Sequence, residues 1–276
     1  MIMKQLYLIF FLFLLINSIQ AKELPFQAKE ELKFDIHYKY GLIMMKAGTA
    51  NYYLTEGNYN NKKSFKTTVD FKTTSFFDKI FKMRDTLSSH LSEDMQPLYH
   101  IRTIYEGSYH IVEEVFFNSF NKDYSEVRVK RVSGPKVSFD TIISSKNFGY
   151  DIVNILQYIR SFDYLQMKSP VSNISTFFGK ENVKITIRNE GQTIIEKSQT
   201  LKYKTYKIAL DFTDSSFNES KNAIEIWLSD DENRVPVRVR AKLGIGLAEV
   251  HLVSWKNLKY PFSSEVIIPL RSNSTK

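Results

Sequence analysis

Apolar and polar residues alternate along most of this chain. In ELKFDIHYKYG, Leu32, Phe34, Ile36, Tyr38 and Tyr40 fall on one face, with Lys33, Asp35, His37 and Lys39 on the other. A β-strand turns successive side chains to opposite faces, so a period of two predicts a strand with one buried side. The stretches AGTANYYL, SFKTTVDFKTT, PLYHIRTIYEG, IVEEVFFN and YSEVRVKRV repeat the pattern. So do VKITIRNEG, TYKIALDFT, NAIEIWLSDD and AEVHLVSW. Between them stand EGNYNNKK, SEDMQP, NEG and DDEN, rich in residues that favour turns. Many short strands with close turns predict a mainly β chain, built as a curved antiparallel sheet or an open or closed barrel-like meander.

One segment departs from this rhythm. YDIVNILQYIRSF places Ile152, Ile155, Leu156 and Ile159 at helical spacing, the apolar stripe of an amphipathic helix. Asp151 suits the first turn of such a helix and Arg160 its last. A lone helix must bury its stripe, and the concave face of the sheet offers the place. TSFFDKIFKMRD reads as a second short helix or as strand. No repeat, low-complexity stretch or linker divides the chain. Residues 22–256 therefore read as a single β-rich domain and 257–276 as a C-terminal tail.

The first residues change where this fold is expected to work. Lys4 precedes the apolar run LYLIFFLFLLI, and a polar stretch then ends at Ala21 before Lys22 and Glu23. A basic head, a brief apolar core and a small residue at the cut predict a signal peptide over residues 1–21, cleaved after Ala21, and a periplasmic product. Ile19 stands where a small residue is usual, so the segment also fits an uncleaved anchor. The apolar run falls short of the roughly 20 residues that span a bilayer, so no integral membrane protein is expected after cleavage. There is no Cys in the 276 residues, which excludes a lipoprotein acylated on Cys, a disulfide scaffold and thiol chemistry. A net charge of +8 is spread along strands and not gathered in blocks, which disfavours nucleic acid as a partner.

The stretch WLSDDENRVPVRVRAK carries three consecutive acids, Asp230, Asp231 and Glu232, ahead of Arg234, Arg238 and Arg240. Ile224, Ile226 and Leu228 form an inward face before it, and Val235, Val237, Val239 and Ala241 one after it. The acids thus occupy the turn of a hairpin, read as solvated and facing outward bases, and not a metal site. Pro236 among the valines marks an edge or a bulge.

WLSDDENRVPVRV followed by GIGLAEVHL resembles the closing signature of the bacterial family "domain of unknown function 3108". LPFQAKEELKFDIHYKYGLIMMKAGTA resembles its opening, and FFDKIFKMRDTLSSHLSEDMQPLYH its central block. YEGSYHIVEEVFFN and the helix YDIVNILQYIR match in the same order, so the likeness spans residues 24–255. The resemblance implies an exported envelope protein of curved antiparallel sheet and brings no catalytic residues.

Known chemistries leave little trace. The five His form no HxH or HExxH pair, and no GxSxG, GxxxxGK[ST] or GxGxxG motif is present. Neither a cofactor nor a metal is expected, and the chain reads as a non-enzymatic module more readily than as a hydrolase. Phe76, Phe77, Phe81 and Met83 are candidates to line an apolar hollow, with Arg84 at its rim to fix an anionic head group. The expected ligand is a lipid or other hydrophobic small molecule. The alternative is an assembly protein that docks an envelope partner through an edge strand or through the tail segment IIPL.

Overall fold

A computed structural model of the protein describes residues 23–169, 171–213 and 220–268. The expected signal segment 1–21, and residues 269–276 of the expected tail, lie outside them. Two meanders make up one sheet. The first runs through β1 (Glu31–Tyr40), β2 (Ile43–Tyr59), β3 (Lys62–Thr73), β4 (Arg84–Ser92), β5 (Pro97–Glu106), β6 (Tyr109–Asn121), β7 (Tyr124–Ser133) and β8 (Lys136–Ser145). The helix α1 (Asn154–Arg160) follows. The second meander is β9 (Ser172–Phe178), β10 (Glu181–Glu196), β11 (Leu201–Thr213), β12 (Ser220–Ser229), β13 (Pro236–Lys242) and β14 (Leu247–Lys256).

Antiparallel pairing of β1 with β14 joins the meanders, so the spatial order is β8 back to β1, then β14 back to β9. The chain is therefore mainly β, a nearly closed barrel-like antiparallel sheet with one helix. The two outer strands meet without a ladder. Ser175 of β9 donates its N–H to the Phe148 carbonyl and accepts at its own carbonyl from Tyr150, both at 2.9 Å. The Ser145 and Ser175 hydroxyls lie 2.6 Å apart across the same seam. Gly149 is fixed there by lack of room, since a Cβ would come within 2.5 Å of the Phe177 ring. At one end of the seam the buried Glu113 carboxylate receives Arg102 (2.8 Å), Arg131 (2.6 Å) and the Gly179 N–H (3.4 Å).

The helix lies inside the sheet, as its stripe predicts. Ile155 and Ile159 pack with Ile174, Ile185, Ile208 and Leu210, while Ile152 at the first turn stays partly exposed. Asp151 caps it by accepting the Val153 and Asn154 N–H groups at 3.0 Å each. Gln157 donates to the Tyr52 hydroxyl of β2. Arg160 does not sit at a solvated C-terminus. It is wholly buried and forms a two-pronged pair with Glu30 (2.6 and 2.8 Å), donating also to the Asn233 carbonyl (3.0 Å).

Two local readings are corrected, and the alternatives at Pro236 are resolved. NEG is no turn: Asn189 to Gln192 form a bulge inside the long β10, with Gly191 at φ 88°. The left-handed backbone that glycine tolerates lets the extra residues loop out without ending the strand. TSFFDKIFKMRD is neither full helix nor strand; it gives one 3-10 turn, Phe77–Lys79, before β4 starts. Pro236 does mark a bulge, yet β13 is not an edge, since it pairs with β12 and β14.

Residues 257–268 pack back onto the sheet. Phe262 stacks near Trp255 (4.2 Å) and meets Tyr203 edge-on (5.8 Å). The short strand β15 (Glu265–Ile267) pairs with Leu201–Tyr203 of β11, just before the point where β12 takes up its own pairing at Thr205.

Candidate functional site

The registers place the β1–β2, β3–β4, β5–β6 and β13–β14 connections at one end of the barrel. Tyr38 Oη donates to the Ile245 carbonyl (3.1 Å), Thr74 N–H to Ala47 (2.9 Å) and Gly107 N–H to Lys82 (2.9 Å), tying these connections together. Two hollows lead inward from there. The outer, about 420 Å³, is lined by Ile36, Tyr38, Phe77, Ile80, Phe81 and Met83 among others. The inner, about 250 Å³, lies between α1 and the sheet, among Tyr52, Ile155, Ile185, Leu210 and Ile226. Phe71 lines both, so its ring stands between them. Small-molecule pockets run from about 300 to 1,000 Å³, and apolar lining is their norm. The walls are apolar because strands buried on their inner side turn every second residue inward.

Of the residues that the sequence nominates, Phe77, Phe81 and Met83 line the outer hollow. Phe76 stands outside it, 58 % exposed, with its ring edge-on to Phe77 at 5.6 Å. Arg84 does not line the hollow; it pairs in register with Lys72 on the outer face of the sheet, and its guanidinium holds Asp78, with contacts of 3.0 and 2.6 Å. Thr73 Oγ1 donates to the same carboxylate (2.5 Å) and accepts the Met83 N–H (3.0 Å). The Arg84 and Thr73 hydrogen bonds hold the Asp78 carboxyl below its usual range, at about 2. The arrangement is a clasp that fixes the Phe77–Met83 loop, which forms one wall of the hollow.

Sequence reasoning missed the strand side of the same hollow, Ile36, Tyr38, Ala47 and Ala248. It also passed over the tip GLIMM. Four successive apolar residues, Leu42 to Met45, in a hairpin turn break the alternation, and that was the available signal.

A buried serine, histidine and aspartate do converge elsewhere, beneath the N-terminus of α1. Ser89 Oγ donates to Asp151 Oδ1 (2.7 Å) and lies 2.8 Å from His100 Nδ1. In a hydrolase the serine proton points to the histidine and the carboxylate orients the ring from its far side. Here the serine spends its proton on the carboxylate, and all three groups are at most 3 % exposed. The trio anchors the helix cap to β4 and β5. Burial pushes the His100 pKa down, outweighing the pull of Asp151. The unfolded chain thus binds a proton that the folded one resists, and the stability is present above the unfolded value near pH 6.5 and lost as pH falls. The melting temperature is expected to drop between pH 7 and pH 5, with this one proton contributing at most about 1.4 kcal/mol per pH unit. His100→Gln flattens that slope; an unchanged slope would rule His100 out as its source.

The acids of SDDEN form the β12–β13 turn as expected, though not a purely solvated one. Asp231 Oδ1 accepts from Ser229 (2.8 Å), Asn233 N–H (3.1 Å) and Arg234 N–H (3.2 Å). Its Oδ2 accepts from the Ser263 N–H (3.1 Å) and Ser264 hydroxyl (3.2 Å). Buried Asn233 donates to the Tyr260 carbonyl (2.9 Å) and accepts from the Tyr260 N–H (2.9 Å). Among the described residues no three His, Asp or Glu side chains are grouped as metal ligands would be.

The fold and hollow define a nearly closed, barrel-like antiparallel sheet around a helix, with an apolar cavity at one end. The chain belongs to the family described as "Protein of unknown function (DUF3108)", which it matches over residues 33–253. A similar solved structure is the beta-barrel-like protein of domain of unknown function DUF1849 from Brucella abortus. It has a TM-score of 0.58 and 11% identity, and the match covers 83% of this chain and 98% of that one. No curated protein matches the sequence. Among the described residues, no helix is long and apolar enough to cross a membrane.

Proposed function

We propose that the protein is an exported, non-enzymatic carrier that holds a lipid or another hydrophobic small molecule inside the barrel. The observation that carries this reading is the pair of apolar hollows that share Phe71, the outer one walled by the loop that the Arg84–Asp78 pair holds in place. Open clefts with walls this apolar have the character of small-molecule sites, which supports the reading. Export rests on the N-terminal pattern ending at Ala21. The periplasm is the compartment it implies, and sequencing the N-terminus of the periplasmic protein should give Lys22. The docking alternative has less support, because the tail strand Glu265–Ile267 already pairs within its own chain.

Purification without detergent, followed by solvent extraction and mass spectrometry, tests the carrier reading. A stoichiometric amphiphile is the expected result. Ala248→Trp places bulk in the outer hollow beside Tyr38 and should release that amphiphile while costing about 1–3 kcal/mol of stability. Wild-type protein that is folded and empty would sink the proposal.

A further inference from the structure

The hairpin end of the barrel is apolar where surface turns are ordinarily polar. Leu42 is fully exposed, and Ile80 and Ile245 are each 70% exposed. Ile43, Phe76 and Leu243 project from the same three connections. At the opposite end the tips Asn60–Asn61, Glu93–Asp94, Lys122–Asp123 and Asp230–Glu232 expose no large apolar side chain, and beside the β10–β11 connection Ile267 alone stands out, with no second apolar tip gathered to it. A protein keeps such a contrast between its two ends only at a cost in solubility, and a gathered apolar patch marks a contact surface.

Charge selects the partner. The exposed Lys72, Lys79, Lys82 and Lys242 stand around the apolar tips. The Asp78 carboxylate in their midst is already taken by Arg84. Tyr40, Tyr105 and Tyr109 are about half exposed at the same end, and tyrosine favours the boundary between hydrocarbon and water. Apolar tips, interfacial tyrosines and a lysine collar together match an anionic bilayer, into whose headgroup layer the tips can sink. A protein partner would not require this basic collar.

We propose that this end of the barrel docks on the surface of an anionic phospholipid bilayer through the Leu42–Ile43, Ile80 and Ile245 tips. Docking there sets the mouth of the outer hollow against the lipid. This deepens the carrier reading, yet docking is measured whether or not the hollow is loaded, so each can fail alone.

The test is flotation of the full mature chain with vesicles of phosphatidylglycerol and phosphatidylethanolamine, against vesicles of phosphatidylcholine alone. The protein should float with the anionic vesicles, and less so as salt is raised. Leu42→Ser with Ile43→Ser should weaken partitioning about tenfold for each residue that no longer inserts. Lys79→Gln with Lys82→Gln should weaken it about fivefold for each lysine removed, and only on anionic vesicles. Because these side chains are exposed, the melts should match the wild type. Ile142→Ser with Val253→Ser, exposed on the barrel wall, should bind like the wild type. Absence of flotation overturns the proposal, as does a rim variant that binds equally well. A dimer in sedimentation that Leu42→Ser with Ile43→Ser dissolves, without vesicle binding, reassigns the patch to a second copy of the chain.

Discussion

Glu30→Leu is expected to lower the melting temperature by about 6–20 °C. That follows from a cost of about 3–5 kcal/mol for orphaning one member of a buried pair, at about 2–4 °C per kcal/mol for a chain of this size. The Arg160 guanidinium has no route to water, since the side chain is 0% exposed, and without Glu30 it retains only the Asn233 carbonyl and Gln157. Arg160→Met should cost as much, by leaving the carboxylate alone. The informative variant is the double one, Glu30→Leu with Arg160→Met. Buried pairs replaced by apolar residues of similar volume are often neutral, so the double variant should recover most of the loss. Equal and additive losses in thermal melts would show that the pair acts through packing alone. The pair matters because Glu30 leads directly into β1 and Arg160 closes α1, so it sets the depth of the helix in the barrel.

Asp231→Ala is the second large effect. It strands five donors, three on the β12–β13 turn and two on Ser263 and Ser264. Each net hydrogen bond contributes about 1 kcal/mol, and several of these donors can turn to water, so the expected loss is about 2–4 kcal/mol. Residues 257–264 should also become open to protease before the barrel unfolds, because the polar part of their attachment runs through Asp231 and Asn233 while only the Phe262 ring packing and the short β15 pairing remain. Asp231→Asn keeps one acceptor and should fall between the two. Limited proteolysis followed by mass determination distinguishes local release from global unfolding; cleavage only at the global transition would refute this role.

Much of the fold could be read from the sequence because strand and helix leave different periods. The alternation in β1 and the stripe from Ile155 to Ile159 each bury one face, and burial leaves a pattern. Strand ends were less legible. β2 runs from Ile43 to Tyr59, well beyond the alternating AGTANYYL, since its ends pass outside the core and lose the selection for apolar residues on one face. The bulge at Asn189–Gly191 mimics a turn in composition because both need a left-handed residue. Half of the hollow, Phe77 to Met83, was visible as an aromatic cluster. The other half is made by residues such as Ile36 and Ala248, which look like ordinary core positions until the sheet curves round to join them. The pairing of Glu30 with Arg160 joins residues 130 positions apart, and nothing local announces it.

The single ladder between β1 and β14 also orders the assembly of the chain in time. Every other pairing among β1 to β14 joins strands that are neighbours in sequence, and such hairpins close within about 1–10 μs. β1 can meet β14 only once Leu247–Lys256 has emerged into the compartment where the chain folds, so the edge of β1 waits unpaired until nearly the whole chain is present. Exposed edges invite pairing with other chains, and charged side chains along them discourage it. Lys33, Asp35, His37 and Lys39 line β1 on its outward face, a guard for the strand that must wait longest for its neighbour.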